Sequence, residues 1–485
     1  MIRKQSPIIL NNEGGGDDSV TVTEAAGIRD LRSSLEVLER GGRLHRIDRA
    51  VDLDRELGTV AFEVEKRGIG AVLFNQPARD PSGPYHPDAA GIPVVAGVLS
   101  HTEQVGLILG CATDDVVTRL ASAMERPLRP VERKDAPFLE NVLRDEADLN
   151  RLPIPRHTEK DGGDRDGRFI SGGVVFARDP ETGQANASFQ RFQLQGARRT
   201  GIQINNWRHL LTFYEKAEAR NEALPIAIAL GTDPVVSIAA GIRTEIDEME
   251  YAGSLRGRPM EMTPAPATGI PVPSETEIVI EGEIPPHHRE AEGPLAEFTG
   301  HYSGVYQAPV FEVSAISHRT NPIFQTIVPA SLEHRNLGGS LPREPVLYKF
   351  VKHVAPNVRN VHLPPYASGF MAVISLKPEH PGQPKNVALA AMTSHVNIKV
   401  VVVVDQDVDI FNPMEILWCL STRVDARRDL FTVPYSQGHE MDPSTEAGGI
   451  ATKVGIDATL NPRGRESLEK VTYPPIDLSK YLGGS

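Results

Sequence analysis

Four short stretches of this chain bring together side chains that can do chemistry. The first is Asn186-Ala187-Ser188-Phe189-Gln190-Arg191. In an extended strand alternate residues share a face, so Asn186, Ser188 and Gln190 point one way and Arg191 the other. A bend would let Asn186 and Arg191 serve one site; a plain strand with a surface arginine is the competing reading. The second is His209, in Asn205-Asn206-Trp207-Arg208-His209-Leu210 at the start of a helical stretch, where an imidazole caps and packs as readily as it ligates. The third runs from Glu245 through Asp247, Glu248 and Glu250 to Gly253, an acidic first helical turn that suits the macrodipole. The fourth is Glu292-Gly293-Pro294-Leu295-Ala296-Glu297, where Gly-Pro argues against a regular element and places both carboxylates on an irregular loop. Two glutamates five apart on a rigid turn can face one cavity, and carboxylates in unlike environments suit acid and base roles. Two solvated loop glutamates are the plainer alternative.

Other stretches carry less. Asp405-Gln406-Asp407-Val408-Asp409 has calcium-like spacing but lacks the turn glycine and distal glutamate of an EF-hand loop, so it reads as a strand end. Gly448-Gly449-Ile450-Ala451-Thr452-Lys453 reads as a loop that could bring amides and a lysine to a phosphate. The chain has no Gly-x-Gly-x-x-Gly after a strand, no Gly-x4-Gly-Lys-Ser/Thr, no Gly-x-Ser-x-Gly and no His-Glu-x-x-His.

The elements that must position these residues span 485 positions, more than one core can fill. Residues 1–20 read as a disordered lead-in. A helical pattern begins at Thr23, with Leu31, Leu35 and Leu38 on one face; short strands at 51–53 and 71–74 then flank a helix at 56–67. This predicts an α/β N-terminal domain over 21–130. Residues 126–155 are Pro-rich and charged and read as a linker. Strand signals dominate the predicted central domain, 131–330, with helices only at 207–219 and 244–255. The region 331–485 returns to α/β: a strand at 372–376, a β-branched run at 399–405 suited to burial on both faces, and a helix at 413–422.

Composition narrows the partners. The 51 basic and 64 acidic residues give a net charge of −13, a poor match for nucleic acid. Two cysteines, Cys111 and Cys419, exclude a disulfide framework, and Cys419 reads as a buried, inert thiol. The apolar run after the basic Met1–Gln5 is too short for a signal-peptide core. No segment approaches the ~20 apolar residues that span a bilayer. A cytoplasmic enzyme without membrane attachment is the expectation.

Taken in order, the motifs resemble the UbiD decarboxylases, which include ferulic and cinnamic acid decarboxylases. The matching stretches are Leu152-Pro153-Ile154-Pro155, Asp161-Gly162-Gly163, Asn186-x4-Arg191, Arg208-His209, Asp247 to Gly253, Glu277 to Gly282, Glu292 to Glu297, and Ser421-Thr422-Arg423. They cover residues 25 to 460. The resemblance implies a central split β-barrel binding prenylated FMN between two α/β regions. It implies that Asn186, His209 and Glu248 hold Mn2+ or another divalent ion against the flavin phosphate, a donor set suited to a hard cation. K+ near Ala187 and Glu248 would also fit. Ser188, Phe189, Gln190, Arg208, His209, Ala239, Ala240 and Ile242 would meet the flavin, and Lys453 its phosphate. The implied catalytic set is Arg191, Glu292 and Glu297: Arg191 orients the substrate carboxylate and Glu297 donates the proton that replaces carbon dioxide. The reaction so implied is non-oxidative, reversible decarboxylation of an α,β-unsaturated or aromatic acid through a covalent flavin adduct. A flavin prenyltransferase would supply the cofactor, and the chain would form a homodimer.

Three alternatives stay open on the sequence. One is a family member tailoring a polyene or polyketide-type aliphatic acid in secondary metabolism. Another is a non-catalytic flavin- or metal-binding carrier, which would not need Arg191, Glu292 and Glu297 together. The third is a metal-dependent hydrolase, disfavoured by the lack of a dense His/Asp cluster.

Overall fold

A computed structural model describes residues 27–78, 87–205, 208–242, 246–446, 448–460 and 470–474, with Ile476 and Tyr481. The predicted lead-in lies outside these residues, as do Trp207 and Thr244, where two helices were expected to begin.

The first helix, α1 (Leu31–Arg40), begins where Asp30 accepts from the Ser33 amide, and it buries Leu31, Leu35 and Leu38. Helix α2 (Glu56–Lys66) follows. Strands β1 (Leu44–Ile47), β2 (Ala71–Phe74) and β3 (Val94–Ala96) form a sheet whose fourth member is Phe324–Gln325, far along the chain.

The central sheet has ten strands. Its main members are β4 (Val174–Arg178), β5 (Ala185–Phe189), β6 (Arg191–Gly196), β7 (Arg199–Gln203), β8 (Leu224–Leu230), β9 (Ile278–Ile284), β10 (Arg289–Glu292) and β11 (Tyr306–His318). Hydrogen bonding runs in the order β5-β4-β8-β9-β11-β7-β6, then Phe169–Ile170, with β10 pairing β11. Strands β5 and β6 are consecutive in the chain, joined by Gln190 alone, yet five strands lie between them along this ladder. The sheet has therefore curled until its ends nearly meet, without hydrogen bonding across the gap. This is a barrel with an open seam, and Gln190 crosses it.

Period-two alternation decides which side chains go where. Val174, Phe176, Ala227 and Ala229 join one apolar cluster, while Val175, Ala177, Ile226, Ile228 and Leu230 join another. The first cluster is completed by helices α4 (Pro234–Gly241) and α5 (Glu248–Arg256), the second by Leu210, Phe213 and Tyr214 of α3 (His209–Ala219). Helix α4 was not expected. Residues 234 to 240 are all buried, so no polar face marks the helix, and only Asp233 at the cap with Pro234 behind it signals the start. The expected linker is also structured: Val131–Glu132 pairs with Glu261–Met262 and Asn141–Leu143 pairs with β11. Its prolines mark breaks but do not prevent short strands from docking on existing edges.

The last region has a five-stranded sheet ordered Val358–His362, Met371–Leu376, Val400–Val404, Ile450–Asp457, Leu430–Gln437, parallel across its middle three strands. Val401 and Val403 enter one cluster, Val402 and Val404 the opposite one, as expected for burial on both faces. Cys419 is fully buried. Asp405 and Asp407 both bind Arg423, which accounts for that acidic run as a strand end. No helix among the described residues is long and apolar enough to cross a membrane.

A buried ion pair ties α4 to α5. Asp233 accepts from the Val235 amide and from Arg256 Nε at 2.7 Å, and Arg256 also donates to the Ile108 carbonyl. Both side chains are 2 % exposed. Replacing Arg256 by Ala strands a buried carboxylate and is expected to cost about 3–5 kcal/mol, seen as a lower denaturation midpoint; an unchanged midpoint would mean the pair is dispensable.

Candidate active site

Two polar clusters stand on either side of the seam. On β5, Asn186 and Ser188 are buried, and Gln190 donates to Ser188 Oγ at 3.3 Å. Helix α5 points its N-terminus at this strand. Asp247 accepts from the amides of Met249 and Glu250, which makes Glu248 the first helical residue. The Glu248 carboxylate accepts from Asn186 Nδ2 at 2.9 Å and from the Ala187 amide at 3.2 Å. Burial pushes this carboxyl up to about 7, against the hydrogen bonds that favour its charged form. With Nδ2 committed to Glu248, Asn186 Oδ1 is the atom left for a cation. His209 opens α3, capped by Arg208, with its exposed ring stacked near Phe213 at 6.4 Å between centroids. Asn186 and Glu248 thus meet between β5 and α5, and an amide oxygen with a carboxylate suits a hard cation; the His209 imidazole on α3 is described against Phe213 and is not joined to this pair by any described contact.

The second cluster centres on Arg191, the first residue of β6. Its Nε and Nη2 donate to the two oxygens of Glu292 at 2.8 and 2.7 Å, and its Nη1 donates to Glu297 Oε1. Glu292 is fully buried and ends strand β10, so only Glu297 of the two carboxylates sits on the expected loop. The turn between them is held from beneath. Gln193 accepts from the Gly293 amide at 2.8 Å, and Gly293 has φ +94°, a conformation glycine adopts freely. Asp161 accepts from the Ala296 amide at 3.4 Å, and the Gly162 amide donates to the Pro294 carbonyl at 2.8 Å. The Asp161-Gly162-Gly163 motif is thus the clamp on the glutamate loop. The Glu297 amide donates to the His301 carbonyl at 2.8 Å, closing the loop.

The two glutamates share one arginine but differ in surroundings. Burial raises the Glu297 carboxyl to about 7; Arg191 opposes the shift and Glu292 adds to it. Burial acts against the charge of Arg191, but the glutamates prevail and its pKa is raised.

Phe189, Gln190, Arg191, Arg208, Ala240 and Glu297 line a cavity of about 190 Å³. It shares Arg191, Arg208, Glu297 and His439 with a larger one of about 930 Å³. The larger one by itself has the size of a small-molecule site, roughly 300–1,000 Å³. Ser188 and Ile242 are buried beside this wall. Lys453 lines neither cavity: it lies in a strand rather than a loop, and its ammonium donates to the Met392 carbonyl at 2.6 Å. The glycines before it suggested a loop, but the strand begins at Ile450.

Among the lining residues that escaped the sequence reading are Phe298, His334, Arg343 and His439. His334 Nδ1 accepts from the Ala330 amide, which leaves the ring proton on Nε2. Burial, helped by the charge of Arg191, holds His334 down to about 4. No spacing motif marks these residues; only His334, one residue beyond the buried Glu333, lies near a structural signal.

Comparison with known proteins follows this geometry. The family descriptions "3-octaprenyl-4-hydroxybenzoate carboxy-lyase" N-terminal, Rift-related and C-terminal domain match residues 35–124, 129–332 and 336–458. An anhydromevalonate phosphate decarboxylase from Methanothermobacter thermautotrophicus is 38% identical over 384 residues, covering 79% of this chain and 88% of that protein. A phenolic acid decarboxylase from Escherichia coli O157:H7 is 32% identical over 93% of this chain and 95% of its own. The UbiD-class enzyme HmfF from Pelotomaculum thermopropionicum, solved with FMN, superposes with a TM-score of 0.85 at 38% identity, covering 93% of this chain and all of that one. An evolved dimeric form of it, solved with prFMN, gives 0.82 at 35% identity over 94% and 100%.

The opposed influences on Glu297 can be separated. Arg191→Gln is expected to move its titration above about 7 and Glu292→Gln below it, as followed by the carboxylic C=O stretch in infrared difference spectra. Shifts of the same sign in both variants would refute this assignment of causes.

Proposed function

The chain belongs to the UbiD family of carboxy-lyases, and from that premise we propose that it removes carbon dioxide, non-oxidatively and reversibly, from an α,β-unsaturated or aromatic acid with prenylated FMN as cofactor. The observation that carries this reading is Arg191 lying between Glu292 and Glu297 in a cavity wall.

Asn186 Oδ1, His209 and Glu248 would hold a Mn2+-type ion against the flavin phosphate, with K+ near Ala187 and Glu248. Phe189, Gln190 and Ala240 would meet the ring system, beside Ser188, Ile242 and Arg208. When bound, the prenylated flavin supplies the electron sink for charge developing at the α-carbon. Residues 21–130, 131–330 and 331–485 would form three domains of a cytoplasmic homodimer, its flavin provided by a prenyltransferase.

The protein's own part is charge and proton placement. Glu292 occupies two nitrogens of Arg191 and fixes the plane of the guanidinium. An entering substrate carboxylate takes Nη1 from Glu297 and is thereby oriented. Its negative charge adds to that of Glu292 and raises the proton affinity of Glu297 further. Once the C–C bond has broken and carbon dioxide has left, Glu297 gives its proton to the α-carbon and recovers one from solvent through the larger cavity. His334 is held neutral and adds no competing charge.

Glu297→Gln should cut turnover by about 10²–10⁴-fold while the flavin absorbance stays; undiminished turnover would end the proton-donor role. kcat/KM should also fall as pH rises past about 7, because the donor of the free enzyme must be protonated when substrate enters. His209→Ala should lower metal and flavin content together, and retention of both would dismiss it as a ligand.

A further inference from the structure

The short helix Leu332–Arg335 faces two ways. His334 and Arg335 turn onto the loop that carries Glu297. The His334 ring stands edge-on to Phe298 at 6.3 Å between centroids, and a Cβ on Gly300 would lie 3.1 Å from Arg335 Nη2. Glu333 goes the other way, into the region built from α2 and the turn after β3. Its Oε2 accepts from the Gly97 amide at 2.8 Å and its Oε1 from the Leu99 amide at 2.9 Å. Glu65, near the end of α2, answers from the opposite side: its Oε2 accepts from the Glu333 amide at 2.9 Å. Gly97 stands between the two carboxyls. Its amide is on Glu333, and a Cβ there would lie 3.1 Å from Glu65 Oε1. Its φ of +78° favours glycine as well.

Both glutamates are buried, Glu65 at 1 % exposure and Glu333 at 0 %. Other buried glutamates have arginines: Glu277 has Arg32 and Arg319, and Glu292 has Arg191. Glu65 and Glu333 have no such partner among the described residues. The nearby titratable groups bring no compensating charge. Lys66 and Arg67 reach out to Glu63 at the surface. The His101 ring meets the Glu65 carbonyl, and burial lowers its pKa; His334 is held down to about 4, and Arg335 turns to the loop. Two bare carboxylates against one glycine would repel strongly. Glu333 accepts with both oxygens, as an ionised carboxylate does. Glu65 Oε1 is buried and meets no donor, so a proton there removes a bare charge. Burial pushes Glu65 up to about 8, and the charge of Glu333 adds to the shift. Burial lifts Glu333 to about 7, against the amides that favour its charge.

We propose that this pair carries one proton, on Glu65 Oε1, and that Glu65 and Glu333 are positioning residues that pin the helix bearing His334 and so seat the loop of Glu297. With both acids ionised, the helix is driven off Gly97 and its hold on Phe298 loosens. The pair itself assumes nothing about the reaction; only its consequence for proton delivery by Glu297 rests on the decarboxylase reading.

The test uses the full chain co-expressed with a flavin prenyltransferase, and none of its readouts is turnover. In infrared difference spectra, E65Q should lose a carboxylic C=O band that wild type keeps up to about pH 8. Thermal denaturation supplies the sign. A carboxyl raised above the ordinary 4.5 weakens the fold as pH climbs from there to about 8, and no further. E65Q should therefore gain on wild type across that window and keep a constant lead above it. Positioning is read from the ring-carbon NMR signal of His334 in protein with isotope-labelled histidine, assigned by its loss in H334N. An E297Q background removes the titration of Glu297 itself. There the signal should shift as pH rises past about 8 and stay in place once E65Q is added. E333Q sets an amide NH2 against the Gly97 or Leu99 amide and should displace the signal at every pH. An unchanged C=O band in E65Q, or a lead that ignores pH, puts the proton elsewhere and overturns the proposal. So does a His334 signal with the same pH course with and without E65Q, or one that E333Q leaves in place. Should E333Q fail to fold, the E65Q comparisons decide alone. Failure of the decarboxylase reading would appear as absent turnover in wild type and would leave all of these readouts standing.

Discussion

A buried guanidinium is costly without opposing charge, and the pairing of Arg191 with Glu292 is the constraint around which the reacting set is built. Glu292 is wholly buried and Arg191 nearly so, so each would be a heavy penalty alone. Their two parallel hydrogen bonds fix the plane of the arginine as well as its charge. That plane decides where Nη1 faces, and hence where Glu297 must be. Much of the surrounding structure serves to hold Glu292 in reach. Strand β7 passes close behind it at Gly201, where a Cβ would lie 3.2 Å from Glu292 Cγ. Gln193 secures the following amide, and Asp161 with Gly162 clamps the turn beyond.

The same arginine makes two chemically different acids out of identical side chains. Glu292 is held by two charged hydrogen bonds at the end of a strand, while Glu297 has one contact and a loop that leaves it beside open space. Burial without full compensation is what lifts a carboxyl toward neutrality. The asymmetry is a matter of backbone: a strand end for one residue, a clamped turn for the other.

Much of this was legible in the sequence, for reasons that differ by element. Leu31, Leu35 and Leu38 announced their helix because one face is buried and the other wet. The β-branched run at 400–404 announced a strand covered on both sides. The residues of both polar clusters stood out by type and order, and the structure gathers Arg191, Glu292 and Glu297 as it does Asn186 and Glu248. What escaped has physical causes too. Helix α4 is apolar all round and so shows no period. Lys453 follows two glycines but lies in a strand and turns its ammonium to a carbonyl. Phe298, His334, Arg343 and His439 reach the cavity only through tertiary packing, which no local spacing encodes.

The seam bears on how this chain can change over generations. Because Gln190 alone joins β5 to β6, the distance in sequence from Asn186 to Arg191 is also the distance across the gap. One residue gained or lost there would turn every later side chain of β6 to the opposite face, sending Arg191 away from Glu292 and Phe192 out of the core. Insertions elsewhere in the barrel can be absorbed by loops. Lineages descended from such a chain are thus held to the length of this stretch, and the count of residues between the amide and the guanidinium is a heritable ruler for the site.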